Sequence, residues 1–307
     1  MARPVFLTGG SGFVGSAVVR ELLGRDYAVN ALSHRGSVAS QGSSPREFKG
    51  DLFDASALDE AMHGCDAAIH LVGIIMEKRA RSVTFERIHY EGARSVVDAA
   101  HRNGVRRFLH MSALGTRPDA ASRYHGSKWK AEQYVRDSGL DWTIFRPSLI
   151  HGPGGFMQME AAWARKKKFP FVAIPYFGSG LLGLGPWGLL QPVYLGDVAR
   201  AFVDALEKPQ TLHKTYDVVG PDHFTWPQLH QAAAQEIAGH GRLTMPMSAW
   251  FAKLLAGAGL GPFLGFSRDQ VIMSQEDITG DPAPLQQDLG WPTRPFRATL
   301  RQYAGQL

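Results

Sequence analysis

The chain carries a single cysteine, Cys65, among 307 residues. A lone thiol excludes an intrachain disulfide and any metal site built on several cysteines, and it fits a reducing compartment. There is no H-E-x-x-H, no EF-hand loop and no G-x-S-x-G, and the 12 histidines are scattered, so no metal is expected. His70 and His110 lie in apolar stretches, where hydrogen-bonded core histidines are expected rather than ligands. Only Met1, Ala2 and Arg3 precede the first apolar stretch, too few for a signal peptide, so a cytoplasmic setting is expected. Charge is absent from Phe169 to Gly196, a run of 28 residues whose four prolines and six glycines forbid a spanning helix. Two readings of that run stay open. It is either a loop buried in a smaller lobe or, flanked by Lys166-Lys167-Lys168 and followed later by the apolar stretch from Trp250 to Ala256, a peripheral surface for anionic membrane. The net charge of +5 suits anionic ligands, and without an aromatic-basic platform nucleic acid is not an expected partner.

The most informative stretch present is the start. Pro4 to Thr8 reads as a strand, Gly9-Gly10-Ser11-Gly12-Phe13-Val14-Gly15 as a turn, and Ser16 to Leu23 as a helix, the first unit of a dinucleotide-binding fold. Gly9 permits the sharp turn, Gly12 lets the backbone approach a pyrophosphate, and Gly15 allows close helix packing. The free N–H groups of the helix start would receive the phosphate charge. About twenty residues on, the second strand ends in Ser33-His34-Arg35 with no acid to bind a ribose 2′-hydroxyl. Arg35 there is either a 2′-phosphate fork, with His34 and Ser33 as further donors, or a solvated strand-end arginine. Asp51 and Leu52 follow a short strand, where the acid can accept from an adenine amino group or cap the next helix.

Strands at Ala28–Ser33, Ala67–Val72, Arg107–Ser112 and Trp142–Arg146 alternate with helical patterns at Ala55–Met62, Phe85–Asn103 and Tyr124–Ser138. That alternation predicts an α/β fold with a doubly wound parallel sheet and helices on both faces. Residues 1–150 form the expected Rossmann domain, its sheet completed by about 192–219. Residues 151–191 and 220–307 form the expected small substrate or interaction lobe. Tyr124 and Lys128, spaced i and i+4, share one helix face, so the ammonium is expected to lower the phenol's pKa and make it a proton donor and acceptor. Ser112 at the preceding strand end is the candidate third member.

These residues together resemble the short-chain dehydrogenase/reductases of the extended or atypical type. The similarity runs through Thr8-Gly9-x-x-Gly12-x-x-Gly15, Gly50-Asp51-Leu52, His70-Leu71-Val72-Gly73, Tyr124-x-x-x-Lys128, Arg146-Pro147-Ser148 and Gln191-Pro192-Val193-Tyr194-x-x-Asp197. Within that superfamily, His70 to Ile75, Phe85 to Gly92 and Leu140 to Pro147 are most similar to bacterial relatives of the NAD(P)H-binding accessory subunit of respiratory complex I. The resemblance implies NADP(H) in preference to NAD(H). It places Gly9, Gly12, Phe13, Val14 and Arg35 on the phosphates, with Gly15 packing the helix behind them, and Asp51 and Leu52 on the adenine. Leu71, Val72 and Gly73 fall on the ribose side and Pro147 at the nicotinamide end; Lys128, on the helix face it shares with Tyr124, is also expected to hold the nicotinamide ribose hydroxyls. It also implies quinone or respiratory metabolism, with a lipophilic substrate or a respiratory-complex partner. Two departures stand out. Ala113 occupies the place where active extended members tend to carry Ser or Thr, and Ser148 stands where sugar-nucleotide enzymes often have Asn. Three functions are therefore carried: an oxidoreductase, a non-catalytic NADPH-binding accessory or assembly subunit, and, least favoured, a sugar-nucleotide epimerase.

Overall fold

The computed structural model describes residues 4–34, 44–185, 188–260 and 266–307. Arg35 and Trp187 lie outside them. Chain contacts divide the protein into two units, residues 1–147, 195–218 and 283–291 in the first and 148–194, 219–282 and 292–307 in the second.

The first unit is built on β1 (Pro4–Thr8), β2 (Ala28–Ser33), β3 (Arg46–Lys49), β4 (Ala67–His70), β5 (Arg107–Met111), β6 (Asp141–Pro147) and β10 (Lys214–Val218). They form a seven-stranded sheet in the order β10-β6-β5-β4-β1-β2-β3, and every pairing is parallel. Parallel neighbours need crossover helices, and α1 (Phe13–Leu23), α2 (Ala55–Met62), α3 (Gly92–Arg102), α4 (Arg123–Arg136) and α6 (Leu195–Leu206) supply them. Alternate side chains feed two cores. Phe6, Ala68, Phe108 and Ile144 pack with Leu58, Val96, Val97 and Val135 on one face. On the other, Phe145 meets Phe202 of α6 at a ring separation of 4.6 Å. Burial of both faces explains why these strands read as apolar runs rather than alternating ones.

The doubly wound α/β fold is the expected one, with local differences. The helical pattern from Phe85 opens as a wide π turn over Glu86–Glu91 before α3 begins. Asp51 does not cap the next helix; its Oδ1 accepts from the Phe53 N–H at 2.7 Å, and Asp54 is the cap, accepting from the Ala57 N–H at 3.1 Å. Of the stretch from about 192 to 219 expected to complete the sheet, β10 joins it, whereas β9 (Val193–Tyr194) pairs instead with β7 (Ile150–His151) in the second unit.

That second unit contains α5 (Gly155–Ala164), α7 (Trp226–Ala238) and a parallel pair, β8 (Ala173–Gly178) with β11 (Leu243–Ser248), followed by α8 (Ala249–Gly257). Its core gathers Met157, Leu190, Leu229, Phe296, Leu300 and Tyr303. Glu160 and His230 are paired there at 2.9 Å, both almost fully buried. The uncharged run is mixed in burial: Leu190 is at 0% exposure, whereas Leu181, Leu182 and Leu184 are 66–76% exposed. Among the described residues no helix is long and apolar enough to cross a membrane.

Candidate active site

The sheet order reverses between β1 and β4, so the chain leaves their carboxyl ends in opposite directions and opens a crevice there. The glycines make it open. Gly9 has φ of +80°, and the Gly12 N–H donates to the Gly9 carbonyl at 2.9 Å. A Cβ on Gly15 would lie 1.9 Å from that same carbonyl, so helix and turn touch backbone to backbone. Gly12 is the N-cap of α1 and has no side chain to block its free N–H groups.

A cleft of about 700 Å³ follows the crevice, and Gly9, Gly12, His34, Asp51, Leu52, Leu71, Val72 and Gly73 all line it. Eight expected cofactor residues are thus brought together. Phe13, Val14 and Gly15 stand just behind, in the first turn of α1. The sequence reading missed one wall, formed by Met76, Lys78, Arg81, Ser82, Val83, Arg87 and Ile88. The cluster Lys78-Arg79-Ala80-Arg81 was the available signal, but nothing in its local pattern says that the chain folds back over the cleft. Arg87 stacks on Phe53, with its Cζ 4.4 Å from the ring centroid.

Helix α4 begins at the Ser122 cap, whose hydroxyl accepts from the His125 N–H at 3.2 Å. It is pinned to the sheet by a buried ion cluster. Glu132, at 0% exposure, receives Arg146 of β6 through two bonds, Nε at 2.8 Å and Nη2 at 2.6 Å, and Arg136 at 3.0 Å. Lys128, four residues earlier, is buried and donates from Nζ to the Met111 carbonyl at 2.9 Å. A Cβ on Gly73 would stand 3.2 Å from that Nζ, so the ammonium lies directly against a residue of the cleft.

The lowered Tyr124 pKa expected from Lys128 is not found, because burial outweighs the nearby ammonium. Burial pushes the phenol up to about 12 and the ammonium down to about 8. The lysine's polar neighbours explain part of its setting. Ser127 Oγ donates to the Tyr124 carbonyl at 2.8 Å and so receives His89 Nδ1–H at 2.8 Å, which leaves His89 Nε2 to accept from the Ile74 N–H at 3.0 Å. His89 is therefore neutral, held well below its usual pKa by burial and by Lys128. The Tyr124 ring stands edge-on to His89, with centroids 5.2 Å apart. His70 and His110 pair across β4 and β5 and stack at 5.6 Å; Thr8 Oγ1 meets His70 Nδ1 at 2.8 Å. Burial drives the His70 imidazole down to about 3 and His110 well below its usual value.

Ser112 is buried at the end of β5, and its hydroxyl donates to Thr116 Oγ1 at 3.3 Å. Ala113 beside it adds no hydroxyl. Pro147 ends β6, and its carbonyl accepts from the Leu114 N–H at 2.9 Å, joining the two strand ends. Among the described residues no group of His, Cys, Asp and Glu could hold a metal.

Residues 9–158 match a family model described as NAD(P)H-binding. Subunit 9 of the NADH dehydrogenase [ubiquinone] 1 alpha subcomplex from Dictyostelium discoideum is 25% identical over 255 residues, 81% of this chain and 67% of that protein. A ceramide reductase from Caulobacter vibrioides is 28% identical over 247 residues, 78% of this chain and 72% of the relative. Among solved structures, a UDP-glucose 4-epimerase from Thermotoga maritima superposes with a TM-score of 0.76 at 19% identity, covering 99% of this chain and 98% of that one. At that identity the epimerase shares the fold.

Proposed function

Starting from a chain whose residues 9–158 belong to the NAD(P)H-binding family, in an extended short-chain dehydrogenase/reductase-like fold, we propose an NADP(H)-dependent oxidoreductase of a lipophilic carbonyl or quinone-related substrate. The observation that carries this reading is the convergence of Lys128 on Gly73: the helix bearing Tyr124 delivers its lysine to the wall of the dinucleotide cleft. The glycine cradle fits a pyrophosphate, since only residues without Cβ could pass the contacts around Gly9 and Gly15. Bound NADPH would supply the hydride. Tyr124 would give the proton to the carbonyl oxygen, Lys128 would hold the ribose hydroxyls, and Ser112 is the remaining hydroxyl for the substrate. A phenol kept protonated by burial is suited to the reductive direction, where it starts as the acid. Preference for NADP(H) rests on Arg35 and on the missing acid at the end of β2. The ceramide reductase and NADH dehydrogenase [ubiquinone] relatives accord with a lipophilic substrate or a respiratory-complex partner.

A second reading, a non-catalytic NADPH-binding accessory or assembly subunit, is favoured by Ala113 and by the engagement of Ser112 with Thr116. One series separates the two. Tyr124→Phe should cut hydride transfer by about a hundredfold or more while NADPH still binds, and Lys128→Ala should damage both. If no carbonyl or quinone panel gives Tyr124-dependent turnover, the accessory reading replaces the enzyme. The epimerase reading has only the fold in its favour.

Peripheral contact with an anionic membrane belongs to the same proposal. In the second unit Phe169, Val172, Leu181, Leu182, Trp250 and Leu254 are exposed. The two segments that carry them, from Ala161 to Tyr194 and from Ile237 to Arg268, contain no Asp or Glu but include Lys166, Lys167, Lys168 and Lys253. Apolar side chains among cations and no anions complement a negatively charged leaflet.

A further inference from the structure

We propose that residues 77–83 form a cationic flap that binds the phosphates of the dinucleotide, with Lys78 and Arg81 as the residues that meet them. This inference rests on dinucleotide binding in the cleft and is independent of whether hydride transfer occurs. The turn from Gly9 to Gly15 offers backbone N–H groups but contains no basic residue. A pyrophosphate held there would receive only the partial charge of the helix start from its own cradle. The cations come from another part of the chain. Lys78, Arg81 and Ser82 line the same cleft as Gly9, Ser11 and Gly12.

The flap is a small closed structure. The Lys78 N–H donates to the Val83 carbonyl at 2.8 Å and the Val83 N–H returns to the Lys78 carbonyl at 3.3 Å. Between them Arg79–Arg81 make one tight turn, and Ser82 takes the left-handed conformation with φ of 55° that closes it. Glu77 anchors the base. Its carboxylate accepts from the Phe85 N–H at 3.0 Å and pairs with Arg79 and with Arg123, each at 3.0 Å. Arg123 immediately precedes Tyr124, so the flap is tied to the start of α4.

Charge is distributed unevenly over this hairpin. Arg79 is committed to Glu77, whereas Lys78 and Arg81 are exposed and make no ion pair among the described residues. Two cations without ion pairs, facing a cleft whose only acidic lining residue among the described ones is Asp51, are placed for an anion.

The test is titration of NADPH and NADH, followed by nucleotide fluorescence, on the full chain and on Lys78→Gln/Arg81→Gln and Arg81→Lys variants at low and high salt. Neutralising both cations should weaken NADPH about tenfold or more and flatten the salt dependence, while Arg81→Lys keeps most of the affinity. An equal loss for both nucleotides assigns the contact to the pyrophosphate; a loss for NADPH alone assigns it to the 2′-phosphate. Unchanged dissociation constants and salt dependence in a variant with the wild-type melting temperature would overturn the flap. If the unmodified protein binds neither nucleotide, dinucleotide binding itself fails and the flap with it.

Discussion

The two units of this protein manage apolar surface in opposite ways. In the first, helices cover a parallel sheet whose central strands β1, β4, β5 and β6 are largely buried; of the 14 large hydrophobic side chains that are exposed among the described residues, only Ile75 belongs to it. The other 13 lie in the second unit, between Phe169 and Leu260. A soluble surface does not ordinarily gather so many. The lesson is a division of labour written in burial. The first unit spends its side chains on walling a cleft, and the second leaves side chains unburied in β11, in α8 and in the stretches on either side of β8.

The strongest way to break that division is to attack the buried side. Gly15→Ala places a Cβ 1.9 Å from the Gly9 carbonyl, where neither backbone can yield without opening the turn. Overpacking of this kind costs about 1–3 kcal/mol or more. NADPH affinity should fall by at least a hundredfold as the cradle widens, and the melting temperature should drop with it. Retained binding in Gly15→Ala would show that the glycine turn is not the phosphate cradle. Gly139 is the control, because a Cβ there meets nothing within 4 Å, although its φ of +72° adds local strain.

Much of the first unit was legible because local and global signals agree there. The glycine spacing needs no distant information: one strand, one turn and one helix decide it. Ala28–Ser33 and Ala55–Met62 stand at their expected bounds for the same reason. The Tyr124–Lys128 spacing correctly placed both on one helix, but it could not say where the ammonium ends. That depends on the Met111 carbonyl, 17 residues away in sequence, and on burial inside the folded unit. The flap escaped notice because its role depends on a fold-back over the cleft. In the second unit the uncharged run left two readings open, and the structure divides it, burying Leu190 and exposing Leu181, Leu182 and Leu184.

A smaller effect sharpens the exposed side. Leu182 and Trp250 are 72% and 58% exposed, so replacing both by Glu removes little packing. Folding stability should stay within about 0.5 kcal/mol per surface substitution and NADPH affinity should not move. Binding to vesicles containing anionic lipid should fall at least tenfold, since two apolar contacts are lost and two like charges are added beside the leaflet. Co-sedimentation with and without anionic lipid reads this directly. If the unmodified protein stays in the supernatant at low salt, membrane contact is wrong.

The smallest effect probes the buried polar layer beneath the cleft. His110 packs against His70, with Lys128 and His89 the other charged or titratable groups acting on it, and neither of its ring nitrogens has a hydrogen-bond partner among the described residues. The sign follows from the pKa direction. His70 and His110 are held below their unfolded value near 6.5 by burial, so the unfolded chain binds protons that the native state refuses as the pH falls. Stability is complete above that value and is lost on acidification, by up to about 1.4 kcal/mol per pH unit for each such imidazole between pH 6 and the depressed native value. His110→Phe keeps a ring against His70, needs no proton and removes two unsatisfied nitrogens. Urea denaturation at pH 7 should show the variant as stable as wild type or more so, and at pH 5 the gap should widen in the variant's favour. A gap that is the same at both pH values would mean that His110 is protonated in the native state, which Lys128 so close by and full burial both oppose.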